Sequence, residues 1–303
     1  MGLVLGGNIF GWTIGEQESF TVLDRFVDCG GSAIDTADVY YMWTESNSGG
    51  ESEEIIGRWL TSRRNRDGVF LMTKVGMWDR RPGLSAKNIE AACEDSLRRL
   101  RTDHVDLYFA HVDDVNTSFE ESLTAFERLI AAGKVRQVGA ANYRVERLVD
   151  ALGVAEREGL PAFSAVQYPY NLMDRSAYEG EAAACAVEND LAVYPYYCLA
   201  KGFLTGKYRG GEASVASLRA RDAQAYVGER GSRVLSVLDT VAGERGVTPA
   251  AVALAWVRSR PEVVAPLASA RSPEQLADLM ASTQVQLSSS DVAALNEASA
   301  AEE

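Results

Sequence analysis

Two hydrophobic rhythms alternate along this chain. Short unbroken apolar runs are separated by longer stretches in which apolar positions recur every three or four residues. The runs are Leu3–Gly7, Ser32–Asp35, Val69–Lys74, Val105–His111, Val135–Ala140, Phe163–Val166, Leu191–Pro195 and Val263–Leu267. Their length and continuity fit strands buried on both faces. Between them, Ala86–Leu100 sets Ile89, Cys93, Leu97 and Leu100 on one face, and Phe119–Ile130 does the same with Phe119, Leu123, Phe126 and Ile130. That spacing predicts amphipathic helices. Strand and helix alternate through the whole chain, which predicts a parallel sheet, and a ring of such units closes into a (β/α)8 TIM barrel. A doubly wound sheet is the competitor, but its Gly-x-Gly-x-x-Gly turn is missing from every strand-to-helix junction.

Length adds one constraint: 303 residues suit a single barrel, so residues 1–303 are read as one domain. The net charge of −13 argues against a nucleic-acid partner, whose phosphates need clustered Lys and Arg. No apolar stretch approaches the roughly 20 residues of a membrane span. Met1–Gly7 runs into the first strand without a basic leader, so neither a membrane partner nor a signal peptide is expected. Cys29, Cys93 and Cys185 fall in helical segments and read as small core residues; with Cys198 they lack metal-ligand spacing. A reduced, cytoplasmic protein without a metal is the expectation.

Chemistry concentrates where the strands end. In a parallel barrel the carboxyl ends of the strands converge on one mouth. Asp35, Tyr40, Lys74 and His111 come from three consecutive strand ends and their loops. A phenol with an ordinary pKa near 10 is a poor acid until a cation stabilises its phenolate. Lys74 is such a cation, Asp35 can hold it, and His111 can hydrogen-bond a carbonyl oxygen. The set suits polarising a carbonyl and giving it a proton, and a reduction further needs a hydride that only a nicotinamide cofactor brings. Plainer readings exist for each residue alone: a structural ion pair for Asp35 and Lys74, a Schiff-base lysine for Lys74, and a core histidine for His111.

These stretches resemble the aldo-keto reductase family over nearly the whole chain. The similarity is carried by Ile34–Tyr40 (IDTADVY), Gly50–Gly57 (GESEEIIG), Met72–Val75 (MTKV), Asp106–His111 (DLYFAH), Ala132–Asn142 (AGKVRQVGAAN), Val166–Asn171 (VQYPYN) and Gly202–Tyr208 (GFLTGKY). The resemblance implies a TIM barrel that reduces a small-molecule aldehyde or ketone with NADPH and no metal. It makes Tyr40 the general acid, Lys74 and Asp35 its activating pair, and His111 the substrate-orienting histidine. It assigns Asn142 and Gln167 to the nicotinamide carboxamide and Tyr196 to stacking on the ring. Tyr196–Lys207, with Leu199 and Gly202, would pass over the pyrophosphate. Ser269, Arg271 and Gln275 would serve the phosphate end: Ser272 reads as an N-cap, Pro273 as the first helical residue and Gln275 as the partner in a capping box. Arg271 would take the 2′-phosphate.

Three departures from the family pattern stand out. Ala141 replaces the usual serine before the asparagine, and Tyr197-Cys198-Leu199 replaces Ser-Pro-Leu. The N-terminal β-hairpin that usually plugs the barrel floor is expected to be lacking. Specificity is expected in the loops that carry Trp12, Trp43 and Trp78, in Val112–Thr117, and in the polar loops Thr44–Glu51 and Met77–Gly83. Arg209–Gly231 reads as a lid. Two other functions fit the same residues: a cofactor-sensing regulatory subunit with little turnover, and a Schiff-base aldolase using Lys74.

Overall fold

The computed structural model describes residues 2–40, 48–209 and 220–300. Eight parallel strands form its sheet: β1 Val4–Gly6, β2 Ala33–Asp35, β3 Phe70–Val75, β4 Val105–Ala110, β5 Val135–Ala141, β6 Ala165–Gln167, β7 Ala192–Val193 and β8 Leu267–Ala268. Their order is β8-β1-β2-β3-β4-β5-β6-β7. The ring closes between β7 and the approach to β8: Val193 N–H donates to Glu262 O at 3.3 Å, Val264 N–H to Val193 O at 3.0 Å, and Leu267 N–H to Pro195 O at 2.8 Å. The fold is a (β/α)8 TIM barrel. Several strands are shorter than their apolar runs. In the last two, Pro195 and Pro266 accept ladder bonds from Leu267 and Val4 but bring no N–H of their own.

Strand alternation sorts side chains into two cores. Val4, Ala33, Met72, Leu107, Phe109, Ala141, Ala165, Tyr194, Ala265 and Leu267 fill the barrel interior. Leu5, Ile34, Leu71, Tyr108 and Val166 face the other way and belong to the larger layer under the helices. Ala86–Leu100 is helical as its pattern predicts, with Ser85 capping it, and the next helix, Phe119–Ala131, is capped by Ser118. The Ser caps satisfy amide donors that the first helical turn leaves unpaired.

Several local expectations change. Cys29 is the C-cap of the helix Glu16–Asp28 rather than inside it. Met77–Gly83 is not a plain loop: Met77–Trp78 pairs antiparallel with Arg81–Pro82. Most of the first half of Arg209–Gly231 lies outside the described residues; the rest comprises a turn of helix at Ala220–Ala223, a 3-10 turn at Gln224–Tyr226 and the start of Glu229–Arg245. Among the described residues no helix is long and apolar enough to cross a membrane.

Candidate active site

The inward alternation of the strands carries on past their ends and builds the site. Counting two residues beyond an interior core side chain gives Gly6 from Val4, Asp35 from Ala33, Lys74 from Met72, His111 from Phe109, Gln167 from Ala165, Tyr196 from Tyr194 and Ser269 from Leu267. All seven line one cleft of about 1020 Å³ at the carboxyl mouth of the barrel. Asn142 reaches it differently. It follows Ala141 directly, and its φ of 61° turns the chain into the left-handed region, which Asn tolerates better than most residues.

Lys74 is the hub. Its Nζ donates to Asp35 Oδ2 at 2.6 Å, to Thr36 O at 2.7 Å and to the Tyr40 hydroxyl at 3.4 Å. Burial pulls the ammonium below its ordinary pKa, and the Asp35 carboxylate opposes that pull. Asp35 Oδ1 accepts from Gln167 Nε2 at 2.8 Å, so both of its oxygens are engaged. The His111 ring stands edge-on to Tyr40, with centroids 6.0 Å apart. Burial, and secondarily Lys74, hold the imidazole well below its usual pKa, so it is neutral at neutral pH. Among the described residues His111 Nδ1 is buried with no hydrogen-bond partner, leaving a polar atom to be satisfied when the cleft is filled.

The amides on the other wall are linked to one another. Asn142 Nδ2 donates to His111 O at 2.9 Å, and the Tyr196 hydroxyl donates to Asn142 Oδ1 at 2.6 Å. Each amide nitrogen has a second hydrogen to offer, so these bonds leave donor capacity at Asn142 and Gln167. Farther along, the cleft is lined by Leu199, Lys201, Gly202, Thr205, Lys207, Arg271 and Gln275. Ala200, Lys201 and Gly202 are consecutive left-handed residues (φ 48°, 55° and 97°), a strained run of the kind found where backbone is shaped around a ligand. Aromatic and amide groups beside the Lys74 hub, with cations and hydroxyls at the far end, suit a nicotinamide at one end and phosphates at the other. Lys201 has an acidic neighbour, Asp222, at 3.8 Å.

Twelve expected catalytic and cofactor positions therefore share one cleft: Asp35, Tyr40, Lys74, His111, Asn142, Gln167, Tyr196, Leu199, Gly202, Ser269, Arg271 and Gln275. Trp12 lines it as well. Trp78 does not. Its indole packs where a Cβ on Gly49 would meet it at 2.9 Å, and Arg99 lies 5.7 Å from its ring, so it serves loop packing while Met77 faces the cleft. Trp43 lies outside the described residues, as does most of Thr44–Glu51. The capping box also needs correction. Ser272 Oγ accepts from Gln275 N–H, but the Gln275 side chain accepts from Arg271 N–H, one residue before the cap. Gln275 thereby fixes the backbone of Arg271. Asn8 was missed, although the strand-end rule reaches it; its Oδ1 accepts from Ser269 Oγ at 2.7 Å and ties β1 to β8. Among the described residues no group of three His, Cys, Asp or Glu side chains is placed to hold a metal ion.

The family model of the aldo/keto reductases matches residues 2–300. The chain belongs to the aldo/keto reductase family. Among curated members it is 33% identical to the uncharacterized oxidoreductase YrpG of Bacillus subtilis, over 97% of this chain and 91% of that protein. It is 31% identical to protein Tas of Escherichia coli, over 94% of this chain and 90% of that protein. A norsolorinic acid reductase of Emericella nidulans is 32% identical over 96% of this chain and 76% of its own length. Membership makes the protein an oxidoreductase of a family that reduces carbonyls and generally uses NAD(P)H.

Proposed function

We propose that the protein is an NADPH-dependent reductase of aldehydes or ketones, with Tyr40 as general acid. The observation that carries this reading is the Lys74 ammonium, which touches Asp35 and the Tyr40 hydroxyl at once inside the cleft. A cation at that distance stabilises the phenolate left when Tyr40 gives up its proton, which makes the phenol a usable acid near neutral pH. Asp35 keeps Lys74 in place and resists its neutralisation. Neutral His111 donates a hydrogen bond to the substrate oxygen rather than a proton. Bound nicotinamide supplies the hydride. Asn142 and Gln167 would hold its carboxamide, Tyr196 would offer its ring face to the nicotinamide, and Leu199, Gly202, Ser269, Arg271 and Gln275 would hold the pyrophosphate and phosphate end. Arg271, its backbone pinned by Gln275, selects NADPH over NADH through the 2′-phosphate.

Trp12, Tyr40, Tyr196 and Tyr197 give the cleft aromatic walls. They favour a carbonyl attached to a ring, and an aryl-alcohol dehydrogenase stands among the relatives at 29% identity. Tyr40→Phe tests the assignment. Turnover falls by a factor of roughly 100 to 10,000, the range of general-acid catalysis, while NADPH still quenches tryptophan fluorescence as in the unaltered protein. A Tyr40→Phe variant with most of its activity would remove Tyr40 from the role. Tighter binding of NADPH than of NADH, equalised by Arg271→Ala, checks the cofactor end.

A further inference from the structure

Asp38 belongs to the same segment as Asp35 but leaves it on the opposite side. The Thr36 and Asp38 amides donate to Met72 O at 2.9 Å and Lys74 O at 3.3 Å, so the ladder between β2 and β3 continues past Asp35 and its alternation with it. Thr36 Oγ1 meets Ser52 Oγ on the surrounding helix Glu51–Arg63 at 2.8 Å, which marks this side as the layer outside the barrel. There Asp38 is fully buried, and among the described residues no side chain hydrogen-bonds to its carboxyl oxygens, which have only the Val39 amide close by.

Charged and titratable groups on the surrounding elements act on it, Lys74 through the barrel wall. They are Glu53 on Glu51–Arg63, Arg99 on Ala86–Leu100, Lys74 on β3 and Tyr108 on β4, with Cys93 beside Tyr108 and Glu53. Glu53 is already satisfied, accepting from Thr73 Oγ1 at 2.5 Å and Arg99 Nε at 2.6 Å. Among the described residues the Tyr108 hydroxyl has no hydrogen-bond partner. The buried cations Lys74 and Arg99 are thus matched by Asp35 and Glu53. A third ionised carboxyl would be uncompensated, and an isolated buried charge is avoided by holding a proton instead. Burial, then Glu53, raises Asp38 to about 8, against the pull of Arg99, the Val39 amide and Lys74.

We infer that Asp38 is a positioning residue for the Lys74–Tyr40 pair, acting through the barrel wall by the charge it carries or withholds. This rests on the reductase reading of the site. As the Tyr40 O–H bond breaks and the product O–H forms, the electron pair remains on the phenolate beside Lys74. Neutral Asp38 leaves the Lys74 charge available to that phenolate. Ionised Asp38 adds a buried negative charge behind Lys74 and weakens Tyr40 as an acid.

The test compares the protein with Asp38→Asn, a neutral near-isostere, using NADPH and benzaldehyde. In the unaltered protein kcat/KM for reduction falls about tenfold between about pH 7 and about pH 9, one pK unit of coupling being a factor of ten. In Asp38→Asn that fall is absent or moved to higher pH. Identical profiles would overturn the inference, since a fall caused by Tyr40 alone is common to both. Unfolding in urea needs no turnover. A carboxyl whose folded pKa is raised lends stability below its unfolded pKa and loses it as pH climbs through the folded pKa, so the urea midpoint of Asp38→Asn gains on the unaltered protein from about pH 4 to about pH 8. A constant difference would overturn the inference. A protein with no reductase activity but with this growing difference would sink the reductase reading and leave the protonated Asp38 standing. If Asp38→Asn does not fold, the infrared C=O band of a protonated carboxyl in the unaltered protein decides: present at about pH 6 and lost through about pH 8 supports the inference, and absent at about pH 6 overturns it.

Discussion

His111 shows how burial sets the working form of a side chain. Burial first, and the Lys74 charge second, disfavour its protonation, so the imidazole stays neutral where a free histidine would begin to charge. The folded pKa is depressed, so this histidine lends stability above its unfolded pKa and withdraws it as pH falls through the range between the two values. Each unit below about pH 6.5 costs the folded state up to about 1.4 kcal/mol. His111→Gln should therefore unfold less readily in acid, and urea midpoints between about pH 7 and about pH 5 check it: the two proteins diverge as the pH drops. The residue type and place of His111 were legible because a histidine closes an apolar run. Its charge state was not, since that depends on how deeply the fold buries the ring and, secondarily, on a lysine contributed by the neighbouring strand. Asp38 was illegible for a related reason. In IDTADVY it differs from Asp35 only by an odd offset, and a strand buried on both faces gives no polar side to say which aspartate looks inward. Trp78 reads as a pocket aromatic until Arg99 and Gly49 are seen to cover it.

Among the elements, the helices Glu51–Arg63 and Ala86–Leu100 come closest together at Gly57. A Cβ there would lie 2.1 Å from Arg99 O and 2.7 Å from Leu100 C, both backbone atoms that cannot swing aside. Gly243 is also helical, in Glu229–Arg245, yet a Cβ on it would meet nothing within 4 Å. Opposite outcomes follow from the same substitution. Gly243→Ala should stabilise by about 0.5–1 kcal/mol through helix propensity. Gly57→Ala should destabilise by about 2 kcal/mol or more, because the helices must separate or bend. Thermal unfolding of both variants checks the pair. The separation of Gly57 matters beyond stability, since Arg99 holds Glu53 and through it the charge balance behind Lys74. The helices themselves were legible from their period of three to four, and the strands from their apolar runs. The ends of the strands were less so, because hydropathy continues beyond the residues that pair regularly with both neighbours.

Across the whole molecule, acidity and site chemistry are partitioned. In a chain of net charge −13 one cleft is lined by Lys74, Lys201, Lys207 and Arg271, with Asp35 beside Lys74, Asp222 beside Lys201, and Asp278. Contact between phosphate groups and the cations at the far end of the cleft is weakened by salt, so NADPH binding should weaken as ionic strength rises, which equilibrium fluorescence quenching would measure. The barrel that frames this cleft is unevenly sewn. β3, β4 and β5 pair over long registers, whereas β7 is held to the approach to β8 by a few backbone bonds around Val193 and Leu267. Asp35, Lys74 and His111 stand on the well-sewn side; Tyr196 and Ser269 stand on either side of the weak seam. Partial opening at that seam would cost less than global unfolding. A dinucleotide lying from Tyr196 to Arg271 would span it and act as a clasp, so occupancy by its own cofactor would govern how long the protein survives a protease.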